Sequence, residues 1–112
     1  MSRTMLACAA LMLPAAAAAG PISKWDDRAP EFDYVSRANL HDVERCILDA
    51  NGWPLPMVYR QPDRPDSVTL MYVDGTGLAA GRIDLKVIDN ILHVKAWDAP
   101  KAIIQCAPRS EQ

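Results

Sequence analysis

A basic excess is missing from this chain. Its 112 residues carry 12 Lys and Arg against 14 Asp and Glu, a net charge of −2. Duplex nucleic acid is held through a basic stripe that neutralises phosphates, so no nucleic acid is expected as a partner. The charge is equally too small, and apolar residues too evenly spread, for a disordered acidic chain. Histidine is scarce, with only His41 and His93. Neither these nor the cysteines stand at a zinc-ligand spacing, so no metal and no cofactor is expected. No apolar run reaches the ~20 residues of a membrane span. Internal repeats are absent, and the length leaves room for one small domain.

What is present begins with a targeting pattern. Arg3 supplies a cation, Met5 to Leu13 an apolar core, Pro14 a break, and Ala17, Ala18 and Ala19 the small residues of a signal-peptidase site. Cleavage is expected after Ala19, because a cut after Gly20 would leave Pro21 at the new terminus. A lipid anchor on Cys8 is disfavoured, since that cysteine precedes any completed apolar core. Residues 1–19 are therefore read as a signal peptide, and the mature chain as a periplasmic or secreted bacterial protein.

Removal of the signal takes Cys8 away and leaves Cys46 and Cys106. An oxidising compartment and an even count predict one disulfide between them. A domain this short buries only about 60–65% of its unfolded surface, so the cross-link matters to its stability.

Residues 20–34 hold two prolines and a charge cluster without periodicity. They are expected to form an extended N-terminal arm, with Trp25, Phe32 and Tyr34 as possible anchors. The rest, 35–112, reads as a single domain. From an N-cap at Ser36 or Asn39, apolar residues at Leu40, Val43, Ile47 and Ala50 share one helical face, with Cys46 beside them and a stop at Asn51-Gly52. Strand chemistry follows. Met57 to Gln61, between Pro56 and Pro62, suits an edge strand. Ser67 to Val73 places Val68, Leu70 and Tyr72 on one face, and DGTGLAAG reads as a glycine-rich connection. Arg82 to Ile88 alternates cleanly, and Ala102 to Ala107 is expected as a last strand, with Ala102, Ile104 and Cys106 toward the helix.

Asp89-Asn90 tolerates the positive φ of a two-residue hairpin turn. Counting outward pairs Ile88 with Ile91, Lys86 with His93, Asp84 with Lys95, and Arg82 with Trp97. Ile83, Leu85, Val87, Leu92, Val94 and Ala96 then fall on one face, opposite a charge pair and a cation over an indole. The fold class implied is α+β: one helix on an antiparallel meander of three to five strands, cystatin-like in layout only, with a single disulfide.

Few residues offer chemistry. The Asp74-Gly75-Thr76-Gly77 turn differs from the D-[ST]-G turn of aspartic proteases by an inserted glycine and has no second copy. It also lacks the Lys and following helix of a phosphate cradle. His41 and Glu44 lie one helical turn apart without a third ligand, and no G-x-S-x-G elbow surrounds Ser36, Ser67 or Ser110. The outer sheet face, with Arg82, Lys86, His93, Lys95 and Trp97 around Asp84, is the candidate binding surface. Its cations and indole suit an anionic protein, polysaccharide or lipid-headgroup surface. The function expected is a non-catalytic exported binding, inhibitory or accessory module. The alternative is a small periplasmic hydrolase using Asp74, Asp84 or His93.

Overall fold

The computed structural model describes residues 22–50, 55–101 and 103–110. The segment expected to be a signal peptide, the expected Asn51-Gly52 helix stop and Ala102 lie outside these. A five-stranded antiparallel sheet runs in the order β1-β5-β4-β3-β2. Its strands are β1 (Phe32–Ser36), β2 (Met57–Tyr59), β3 (Ser67–Val73), β4 (Ala79–Ile88) and β5 (Ile91–Trp97). Helix α1 (Leu40–Asp49) lies across the inner face, with a short α2 (Ile103–Cys106) beside it.

The helix starts where the Asn39 side chain accepts hydrogen bonds from the amides of His41 and Asp42, satisfying two otherwise orphan donors. Its stripe of Leu40, Val43 and Ile47 is buried against Leu70, Ile83, Leu85, Leu92 and Val94 of the sheet. Glu44 sits on the same side and is also buried, its carboxylate held by the Arg60 guanidinium just beyond β2. That ion pair ties the β2 end of the sheet to the helix.

The central hairpin forms in the register expected from its turn. Asp89 and Asn90 have φ of 52° and 65°, and Ile88↔Ile91, Lys86↔His93, Asp84↔Lys95 and Arg82↔Trp97 face each other. One residue of slip would carry Asp84 and Lys86 into the core, so the pattern of side chains holds the pairing. The strand β4 begins three residues earlier than its alternation implies, at Ala79. Gly81 permits this: a Cβ there would stand 2.7 Å from the Asp98 carbonyl oxygen, an approach no other residue allows.

Two expectations require correction. Residues 103–106 form a helical turn rather than a last strand, and Ile103 and Ala107 are the buried pair, a helical spacing of four. Ile104 and Cys106 are only half-buried. The fifth strand instead comes from the segment read as an arm, where Phe32–Ser36 pairs with β5 and places Tyr34 inward. The disulfide joins Cys46 of α1 to Cys106 of α2, with Cα atoms 5.5 Å apart.

Ahead of β1, residues 22–31 cross the outer face and make a second small core. Trp25 is wholly buried, packed with Met71, Ala79 and Trp97. The Trp25 indole N–H donates to the Asp98 carboxylate at 3.1 Å, and the Trp97 indole N–H donates to the Arg28 carbonyl at 2.8 Å. These bonds satisfy the one polar atom of each indole, which a buried tryptophan needs.

Asp98 accordingly links the seating of the arm to pH. The Trp25 N–H first, then Glu31 and the Arg28 guanidinium, hold its carboxyl below the usual carboxylate range. A depressed folded-state pKa means the stabilisation is complete above the unfolded value and is lost as pH falls through the folded one. Below about pH 4 the arm should therefore loosen, seen as a red shift of tryptophan emission. Asp98→Asn should remove that pH dependence. A variant that titrates as the parent does would show that another group controls the step.

Candidate functional site

The outer face of the sheet divides into a covered half and an open half. The pleat places Met57, Tyr59, Ser67, Thr69, Met71, Arg82, Asp84, Lys86, His93, Lys95 and Trp97 on this side. The arm covers Met71, Ala79 and Trp97. Trp97 is only 7% exposed, so it is not the exposed anchor the sequence suggested, and its ring is spent on core packing. Arg82 is likewise occupied. Its guanidinium stands 5.2 Å over the Trp97 ring, bonds both Asp84 oxygens, reaches the Asp26 carboxylate at 2.8 Å and donates to the Ile22 carbonyl. It anchors the arm with four of its five N–H donors engaged.

Lys95 is exposed and stands opposite Asp84 on one neighbouring strand and Asp33 on the other, with no ion pair to either. His93 lies opposite Lys86 on β4 and Val35 on β1, half-buried. Of the five residues expected to form one binding face, Lys86 alone is exposed without a carboxylate opposite it in the sheet or an ion pair among the described residues.

Lys86 borders a concavity of about 360 Å³ that the sequence did not announce. Its floor is Ser67 and Thr69 of β3, its walls Tyr59, Gln61 and Arg64, and Ile22 of the arm closes one end. This volume falls at the small end for ligand sites. Arg64 comes from the turn PDRPD between β2 and β3, where an i→i+3 bond from the Arg64 amide to the Gln61 carbonyl at 2.9 Å fixes the chain. It is exposed and, like Lys86, makes no ion pair among the described residues. The Thr69 hydroxyl donates to Asp84 at 3.1 Å, which turns that carboxylate toward Thr69 and Arg82. The Arg82–Asp84 ion pair also lines it, so two cations without ion-pair partners among the described residues, one matched pair, an aromatic ring and polar side chains converge on a shallow groove.

The residues of the hydrolase alternative do not converge. Asp74 closes the β3–β4 connection by accepting from the Thr76 amide at 2.8 Å and the Leu78 amide at 3.1 Å. Hydrogen bonds from Thr76 first, then Leu78, hold its carboxyl below the usual range. It stands beyond the end of β3 opposite the row of Ser67, Lys86 and His93, about 20 Å along the strand. Asp84 is taken by Arg82 and Thr69. The Glu44 of the His41–Glu44 pair is committed to Arg60, and no group of three metal-ligating side chains occurs among the described residues. No helix among them is long and apolar enough to cross a membrane. Compared with known proteins, the chain matches no family model, no curated protein and no solved structure.

Proposed function

We propose that this chain is an exported, non-catalytic binding domain that takes an anionic ligand in the groove between β2, β3 and β4. The observation that carries the reading is the pair Arg64 and Lys86, two exposed cations without ion-pair partners among the described residues, set beside Tyr59 in one concavity. Within the groove Arg82 is matched by Asp84, and at its arm side by Asp26, so Arg64 and Lys86 supply its unpaired positive charge. Export is supported by the signal pattern of residues 1–19 and by the disulfide, which an oxidising compartment preserves. The cystatin-like outline extends only to a helix across an antiparallel meander and lends no activity.

Titration of the mature chain with fluorescein-labelled polyglutamate, dextran sulfate and phosphatidylglycerol vesicles tests the reading. At least one should bind, more weakly as salt is added, because exposed charges act mainly through steering. Arg64→Glu with Lys86→Glu should weaken that binding about tenfold or more while leaving the melting temperature unchanged, since both side chains are exposed. Indifference of all three probes to the protein would end the proposal, as would binding that ignores the charge reversal.

A further inference from the structure

We propose that the groove takes the acidic ring of a uronate sugar, free or at the end of a polysaccharide. This rests on the reading of the groove as an anion site and names the chemistry of its occupant. The register of the sheet lays the lining out in three rows. At one end the Ser67 amide donates to the Arg64 carbonyl at 3.1 Å, and Ser67 stands opposite Lys86, so both cations of the groove reading belong to this row. In the middle row Tyr59 faces Thr69, and Thr69 faces Asp84. At the far end Arg82 donates to the carbonyl of Ile22, the residue of the arm that closes the groove. Two residues of strand separate successive rows, about 7 Å.

A bare anion makes no use of the middle row. A carboxylate only accepts, so the Thr69 hydroxyl that bonds Asp84 at 3.1 Å has its one proton committed there. What Thr69 offers a ligand is a lone pair. A ligand carboxylate or sulfate has no proton to give it, and two acceptors brought together without a donor are left unsatisfied. A ligand hydroxyl supplies that donor. Beside Thr69, the Gln61 side-chain amide donates to the Tyr59 hydroxyl at 3.3 Å, which leaves the phenol proton for a ligand acceptor. Hydroxyl groups both donate and accept, and so match a row that offers both. The ligand therefore carries negative charge at one end and hydroxyls about one row away. A uronate ring has this form, with its carboxylate on one side and its hydroxyls across the ring. Its apolar C–H face suits the Tyr59 wall, and a single ring suits a concavity at the small end of ligand sites. An acidic peptide side chain brings the charge without the hydroxyls.

Chemical-shift titration of the mature chain with methyl glucuronide, methyl glucoside and cyclohexanecarboxylate tests the assignment, the second lacking the charge and the third the hydroxyls. Methyl glucuronide should bind, and each of the other two about tenfold more weakly or worse, a loss of the size expected for one or two ligand contacts. Thr69→Val, which keeps the β-branched shape, should abolish the preference for methyl glucuronide over cyclohexanecarboxylate, and Thr69→Ser should retain it. Arg64→Glu with Lys86→Glu should weaken both acids. A hyaluronan tetrasaccharide ending in glucuronate separates the two sources: retained binding assigns a polysaccharide end, and its exclusion a free sugar. Cyclohexanecarboxylate bound as tightly as methyl glucuronide, or a preference that survives Thr69→Val, would overturn the sugar and leave the anion groove standing. Polyglutamate or phosphatidylglycerol vesicles bound by a chain that ignores methyl glucuronide would do the same. Methyl glucoside bound as tightly as methyl glucuronide would show that charge plays no part, and would overturn the sugar acid and the anion groove together.

Discussion

Trp97→Ala should destabilise the domain by about 3–5 kcal/mol, the usual cost of emptying a buried large aromatic site, and lower the melting temperature by roughly 15–30 °C for a domain of this size. The indole packs with Trp25, Met71 and Ala79, and its N–H is one of the bonds that hold residues 22–31 to the sheet. Removing it opens a cavity and also uncovers Trp25, so the losses compound. Trp97→Phe separates the two contributions, since it keeps most of the packing and deletes the bond to the Arg28 carbonyl. That variant should cost about 0.5–1.5 kcal/mol, the net worth of a hydrogen bond to a carbonyl that water can reach. Thermal unfolding followed by circular dichroism measures both. A melting temperature unchanged in Trp97→Ala would show that the arm does not cover the sheet in solution. Charge reversal at Arg64 and Lys86, by contrast, should touch binding and leave folding alone, so the two halves of the outer face are separable by mutation.

The sequence makes legible what is local. Asp89-Asn90 specifies a turn whose geometry sets the whole β4–β5 register by counting, and the alternation on either side agrees with it. Leu40, Val43 and Ile47 announce a helix because their spacing has no strand equivalent, and Asn39 marks its start through a bond within the same turn. The errors come where a long-range partner decides. Residues 102–107 are apolar and short, a composition that serves strand or helix equally. The bond from Cys106 to α1 and the seat for Ile103 and Ala107 select the helix. Phe32–Ser36 lies in a charged, proline-flanked stretch with little strand signal of its own, and becomes a strand because β5 presents a free edge to it.

Trp97 shows the same limit more sharply. Its position on the outer face was readable from the hairpin, but its cover was not, because Trp25 stands 72 residues away in sequence and no periodicity links them. The groove was hidden for a related reason: Arg64 sits in a turn and Lys86 in a strand, and only the folded sheet brings them to one concavity.

Replacing both Cys46 and Cys106 by serine should cost about 4 kcal/mol by the chain-entropy relation for a loop of this length, the bond spanning a separation of 60 residues. That is close to the whole stability of a small domain, so the variant should melt roughly 15–30 °C lower or fail to fold at growth temperature. The effect is also local. A four-residue helix such as α2 is too short to persist alone, and it is held by the bond together with the packing of Ile103 and Ala107. The carbonyl of Ala107 receives the Tyr34 hydroxyl, and Ser110 beyond it seals the β1 edge. Loss of the bond therefore frees the segment that covers β1 among the described residues, opening an edge that invites edge-to-edge association. Cys46 is exposed on α1 and Cys106 half-buried on α2. Dithiothreitol added to the folded protein should reproduce the destabilisation of the double variant and raise the apparent mass in light scattering. Alkylation of both thiols under denaturing, non-reducing conditions, or a reduced protein as stable and monodisperse as the oxidised one, would show that the cross-link does not hold α2 and the C-terminal segment in place.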